Sequence, residues 1–202
     1  MFAPARLYSS LVLGAALLLS GNLPALACAC CTHPAQRVIA TEKLESLHLD
    51  EIARLRFAGE AKLLLGEANN EGLPGMPEPE EDWALSAKRQ KDRLIFSLRD
   101  AKGSAGTLTL GLPKSLSVFK TDTRDAEDKG FGPPLYTEWT LTSPFSGDGI
   151  FRAAAPQSRR LTLILQGRGT ACTDAETFTH WTLRFGPRDN FAFYGALTEP
   201  KP

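Results

Sequence analysis

Three of the four cysteines in this chain stand close together, beside a histidine, in the segment Cys28-Ala29-Cys30-Cys31-Thr32-His33. Thiolate and imidazole groups are ligands that suit Cu(I) and Zn(II). The N-terminal cluster of Cys28, Cys30, Cys31 and His33 is therefore a candidate copper or zinc site. Its spacing differs from the standard structural zinc patterns, which combine two Cys-x-x-Cys pairs or a cysteine pair with a histidine pair.

The cluster follows directly on an export signal. Arg6 precedes an apolar run over residues 11–19, and Ala25-Leu26-Ala27 has the small-x-small pattern at which signal peptidases cut. Cleavage is predicted after Ala27. The apolar run is too short for a spanning helix, so no transmembrane helix is expected in the mature chain.

In an exported chain, cysteines most often form disulfides, and this gives the cluster its second interpretation. Cys172 lies far downstream, and we expect it to pair with one of Cys28, Cys30 and Cys31. Closing a loop of about 140 residues would stabilise the fold by roughly 4–5 kcal/mol in the chain-entropy model. The bridge would fix an N-terminal arm to the body of the protein.

Cys28 allows a third interpretation, because it is the first residue after the predicted cleavage point. Bacterial lipoproteins carry an acylated cysteine at this position, and a lipid anchor on Cys28 is thus an alternative. The residues before it match that motif poorly, since Ala25 and Leu26 stand where leucine and a small residue are favoured.

Composition excludes some classes of partner. The chain has 23 basic and 23 acidic residues, spread along its length, and a formal net charge of zero. Nucleic-acid binding is not expected from such a balance. Removal of residues 1–27 from the 202 residues leaves enough chain for one domain with its own core.

Period-two hydrophobicity predicts how the mature chain folds. Alternating segments are typical of half-buried strands, and a turn-rich stretch between two of them predicts a hairpin. Strands are expected at 55–65, 93–99, 107–112, 116–120, 136–142, 149–153, 160–166, 179–185 and 190–194. The fold class is mostly β, an antiparallel sandwich or barrel of about 8–10 short strands with little helix.

The expected organisation has three parts: a signal peptide at 1–27, a cysteine-containing arm at 28–52 and a single β-domain at 53–202. Within the arm, a short helix over 38–47 or an irregular segment is expected. Residues 66–82 form an acidic, proline-containing loop, and Gly167-Arg168-Gly169 is predicted to be a turn. Arg168 either binds an anion there or pairs with a surface carboxylate.

A C-terminal aromatic group is predicted to pack in the core between the last two strands. Its members are Phe178, Trp181, Phe185, Phe191, Phe193 and Tyr194. A role in lining a ligand site is expected only in a hollow barrel.

The Cys-x-Cys-Cys start, the Cys172-Thr-Asp segment and the sequence from Phe178 to Leu183 resemble uncharacterised secreted bacterial proteins. The resemblance covers a small part of the chain. It implies a bacterial origin and an envelope location, and it carries no known activity or catalytic residue.

Three functions follow as hypotheses. The first is a non-catalytic, disulfide-stapled β-domain that binds a small molecule or an envelope protein, in the periplasm or outside the cell. The second is a periplasmic copper or zinc protein that uses the N-terminal cluster. The third is an enzyme whose site has no sequence motif that we recognise.

Overall fold

A computed structural model describes residues 37–65, 82–122, 135–153, 160–169, 177–186 and 191–198. Twelve strands and one helix lie within these ranges. They are β1 (Arg37–Lys43), α1 (Ser46–Arg54), β2 (Arg56–Phe57), β3 (Glu60–Leu65), β4 (Asp82–Gln90), β5 (Arg93–Arg99), β6 (Ala105–Gly111), β7 (Ser115–Asp122), β8 (Leu135–Ser143), β9 (Phe145–Gly149), β10 (Leu161–Gly169), β11 (Phe178–Phe185) and β12 (Phe191–Thr198).

The strands form one antiparallel sheet, which confirms the predicted mostly-β class. Their order is β1-β7-β8-β10-β11-β12-β3-β4-β5-β6-β9, and β2 pairs with β12 beside this path. In the described residues the sheet has two ends, at β1 and β9, and is not closed into a barrel.

The sheet curls so that strands distant in this order face one another. Phe96 on β5 stacks on Trp181 of β11 with ring centroids 6.1 Å apart, although β12, β3 and β4 separate the two strands. Phe145 on β9 lies 5.7 Å from Phe185 of β11, with five strands between them. A flat sheet would place β9 and β11 about 29 Å apart, at about 4.8 Å per strand. The inner face therefore wraps around a single core.

A bent two-stranded ribbon, in which β6 and β9 continue into β7 and β8, connects the two edge regions of the curled sheet. Only Leu112, Pro113 and Lys114 separate β6 from β7, and only Pro144 separates β8 from β9. The partners also match, since β6 pairs with β9 and β7 pairs with β8. Proline donates no backbone hydrogen bond, so the two prolines interrupt the ladders where the ribbon turns from one half of the sheet to the other.

Helix α1 packs against the core and contacts β8. Ile52 and Leu55 are buried, and the His48 ring meets Trp139 of β8 edge to face at 5.2 Å. The helix begins with a reciprocal cap, in which the Glu45 backbone N–H donates to His48 Nδ1 at 3.3 Å and the Glu45 side chain accepts from the first turn.

The beginning of the domain differs from expectation. Residues 37–43 are a strand paired with β7, not a helix, and the helix lies further along at 46–54. The segment contains β-branched Val38, Ile39 and Thr41, which favour a strand, whereas the capping residues Glu45 and His48 begin the helix. Most of the expected arm is thus built into the sheet and core.

Other boundaries were wrong in ways that backbone pairing explains. The strand predicted at 55–65 is interrupted at Ala58 and Gly59, because its register with β12 shifts by two residues between the Phe57–Leu197 and Lys62–Tyr194 pairs. Residues 150–153 are a turn, not a strand. Strand β4 had not been predicted, since its beginning at Asp82 was assigned to the acidic loop, of which 66–81 lie outside the described residues.

Gly167-Arg168-Gly169 is the end of β10, not a turn. A Cβ at Gly167 would collide with the backbone carbonyl of Thr177, and one at Gly169 would collide with the Thr177 side chain. The glycines serve this close approach of two backbone segments, and Gly-x-Gly by itself does not distinguish that use from a turn.

The aromatic core prediction is confirmed for Phe178, Trp181, Phe185 and Phe193, all of which are buried. The prediction was wrong for Tyr194, because this side chain is 40% exposed on the opposite face of β12. Successive residues in a strand point to opposite faces, so Phe193 and Tyr194 could not both have faced the core.

Candidate functional site

The residues for which sequence predicted metal or disulfide chemistry lie outside the described part of the chain. These are Cys28, Cys30, Cys31, His33 and Cys172, together with the cleavage point after Ala27. Within the described ranges, no group of three or more His, Cys, Asp or Glu side chains could hold a metal ion. None of the described helices is long and apolar enough to cross a membrane.

A pocket of about 640 Å³ opens between the C-terminal end of α1 and the tip of the β4–β5 hairpin. Its volume lies in the range that holds small organic ligands. Apolar side chains from both elements form its floor, among them the buried Ile52, Leu55 and Leu94 and the half-buried Phe57. The floor is continuous with the core, because the Phe57 ring packs on Phe96 and Trp181.

The rim of this pocket is basic. Arg56, Lys88, Arg89 and Lys91 line it, and the described lining residues include no acidic side chain. We call these four residues the basic rim. They belong to two segments that the sheet brings together, since Arg56 begins β2 while the other three stand at the end of β4 and in the turn after it.

The two arginines of the basic rim donate hydrogen bonds to carbonyl groups of α1 and of Leu55, the residue after it. Arg89 Nη1 donates to the Leu49 carbonyl at 2.7 Å, and Arg56 Nη1 donates to the carbonyls of Ala53 and Leu55 at 3.0 Å each. A cation at a helix C-terminus is also favoured by the helix dipole. Because a guanidinium group has five N–H donors, each arginine keeps donors for a ligand while its position is fixed.

The two lysines of the basic rim are exposed, as Arg56 is, whereas Arg89 is half-buried. Lys88 is on the exposed face of β4, and Lys91 occupies the turn with a positive φ of 52°. Nearby acidic groups belong to other pairs: Glu51 accepts two hydrogen bonds of 3.1 Å from Arg54. Asp92 stands 3.8 Å from Arg93.

Sequence reasoning missed this site. It treated the charges as evenly spread, although Lys88-Arg89-Gln90-Lys91-Asp92-Arg93 is a basic stretch in the printed sequence. The stretch alone is typical of a solvated hairpin tip. A ligand site is indicated only when Arg56 and the floor residues Ile52 and Phe57 join this stretch across the fold, and these three residues lie far from it in sequence.

Comparisons of the chain with family models, with curated proteins and with solved structures give no match. The functional argument therefore depends on the chemistry of the pocket itself.

Proposed function

We propose that this is an exported bacterial envelope protein whose β-domain acts without catalysis and binds a small anionic molecule with an apolar body. The observation that carries the proposal is the combination, in one pocket, of an apolar floor and a rim of four cationic side chains. Export, and a staple between Cys172 and the N-terminal cysteines, remain parts of the proposal that the sequence pattern supports.

The pocket favours an amphiphile over a purely polar anion. A carboxylate or phosphate group gains charge-assisted hydrogen bonds from guanidinium groups that are already oriented, which reduces the entropy lost on binding. An alkyl or aromatic body covers the floor of Ile52, Leu55, Phe57 and Leu94 and removes apolar area from water. Neither half of the pocket alone would select such a ligand.

The first prediction compares two ligands with the same chain and different head groups. Below their micelle concentrations, laurate is expected to bind and the uncharged, sugar-free octaethylene glycol monododecyl ether to bind much more weakly, as measured by isothermal titration calorimetry. Replacing Lys88 and Lys91 together by glutamine should weaken laurate binding roughly 2- to 30-fold, since each exposed cation contributes about 0.2–1 kcal/mol.

The matched control is Lys62→Gln, which removes an exposed lysine from β3 outside the pocket lining. It should bind laurate like the wild type. Equal affinity for laurate and octaethylene glycol monododecyl ether, or equal weakening by Lys62→Gln and by the double substitution, would contradict the proposed anion site.

A further inference from the structure

A second candidate surface lies on the outer face of β8, β10 and β11, away from the basic rim. The strand register places Glu138, Gln166 and His180 directly opposite one another across these three strands. Two adjoining depressions, of about 420 and 260 Å³, share Gln166 and His180. We call the pair the outer trough; it runs across the strands from Tyr136 to Tyr194.

A hydrogen-bond network with Glu138 fixes Tyr136 and Gln166, two of the side chains that line the outer trough. Gln166 Nε2 donates to the Tyr136 hydroxyl at 3.0 Å, and this hydroxyl donates to Glu138 Oε2 at 3.2 Å. Thr140 donates to the other oxygen of Glu138 at 3.3 Å. The carboxylate charge is thereby engaged by three donors, since Gln166 also lies 3.3 Å from it.

Tyr136 remains a neutral phenol at physiological pH. Burial, with the adjacent Glu138 carboxylate as a further cause, raises the pKa of Tyr136 above its ordinary value of 10.0. The ring is half-buried and meets Phe119 of β7 edge to face at 6.0 Å. The network and this contact together hold one face of the ring in a fixed orientation.

Aromatic and polar groups alternate along the outer trough. Tyr194 is 40% exposed at its far end, beside Leu64, which is 56% exposed. Between the two tyrosines stand Gln166 and His180, and His180 Nδ1 is 2.9 Å from the Thr179 hydroxyl. An apolar ring face next to a planar hydrogen-bonding group is a surface that suits a ligand with both C–H faces and hydroxyl groups.

From this arrangement we infer that the outer trough binds a linear oligosaccharide, laid across the strands with sugar rings over Tyr136 and Tyr194. The trough is shallow and extended, which fits a chain more than a compact molecule. The inference concerns a different surface from the proposed anion site and does not depend on it.

The test is a titration of the isotope-labelled full chain with chitotetraose and with cellotetraose, followed by amide chemical shifts. We expect at least one sugar to shift residues of β8, β10, β11 and β12, and not residues around the basic rim. Tyr194→Ala should weaken that binding about 3- to 10-fold, because a stacked aromatic contributes about 0.5–1.5 kcal/mol. Well-dispersed spectra of the variant establish that it folds.

The control is Leu47→Ala, which removes an apolar side chain of similar exposure from α1. It should leave sugar binding unchanged. The inference is overturned if neither sugar shifts these strands, if Tyr194→Ala binds like the wild type, or if Leu47→Ala weakens binding as much. The laurate experiment is unaffected by any of these outcomes, so the two sites are tested separately.

Discussion

Single residues determine how closely backbone segments can approach in this fold. At Gly167 the register between β10 and β11 shifts, and the chain at Thr177 passes directly over the glycine. The contact is with backbone, which cannot rotate away as a flexible side chain would. A side chain at this position therefore forces the two strands apart.

Replacing Gly167 by alanine should lower the free energy of unfolding by about 1–3 kcal/mol, as overpacking does elsewhere. The matched control is Gly59→Ala, because a Cβ at Gly59 meets no atom within 4 Å. That substitution should change stability by less than about 0.5 kcal/mol. Urea denaturation measures both, and equal stability of the two variants would contradict the close approach at Gly167.

At the same scale, the sequence predicted burial better than it predicted binding. Trp181, Phe185 and Phe193 reach the core because period-two alternation is a local property that a strand preserves. The basic rim depends on Arg56 and Lys88 meeting across the fold, which local alternation does not encode. The outer trough was missed for the same reason, since its tyrosines belong to β8 and β12.

At the scale of elements, α1 is the part of the structure that joins the core to the proposed anion site. Ile52 is 2% exposed and contributes both to the core and to the pocket floor. The carbonyls that hold the rim arginines belong to the same helix or to the residue after it. Loosening the helix should therefore weaken both stability and the anion site.

Replacing Ile52 by alanine should destabilise the protein by about 2–4 kcal/mol, the usual cost of such a cavity. Thermal unfolding monitored by circular dichroism is the measurement. Leu47→Ala, on the exposed side of the same helix, should change stability by less than about 0.5 kcal/mol. If Ile52→Ala unfolds at the wild-type temperature, the helix is not part of the cooperative core.

Elements were predictable where alternation was long and the turn was short. The strands at 93–99 and 105–111 match expectation closely, because a turn-rich segment separates two alternating runs. Strand β4 was lost beside an acidic, proline-containing stretch, and β1 was missed because an edge strand exposes residues on both faces. Alternation of apolar and polar residues therefore predicts a strand only where one face of the strand is buried and the other is exposed.

At the scale of the whole molecule, the strand register gives a distance that can be compared with the span of the predicted disulfide between Cys172 and the N-terminal cysteines. Arg37, Thr121, Tyr136 and Arg168 stand in one row across β1, β7, β8 and β10. The row spans about 14 Å, at about 4.8 Å per strand. Six positions separate Cys31 from Arg37, and an extended chain of that length reaches about 20 Å. This distance supports a proposed bridge to Cys172, three positions beyond the end of β10.

Replacing Cys172 by serine should lower the melting temperature of the exported protein and expose the N-terminal segment to protease. The chain-entropy model gives roughly 4–5 kcal/mol for the lost bridge. One of the three single substitutions Cys28→Ser, Cys30→Ser and Cys31→Ser should reproduce the effect, and the other two serve as controls. Unchanged melting and digestion in Cys172→Ser would exclude the staple.

The position of β12 has a consequence for the order in which the chain can fold. This strand lies between β11 and β3, and its pairing with β3 joins residues roughly 130 positions apart, such as Lys62 and Tyr194. A chain that emerges from a ribosome or a translocation channel begins with its N-terminus, so β3 cannot pair with β12 until roughly 130 further residues have emerged. Until then β3 presents an unpaired edge, and such edges aggregate. Completion of the sheet in the described residues is thus deferred until β12 has emerged.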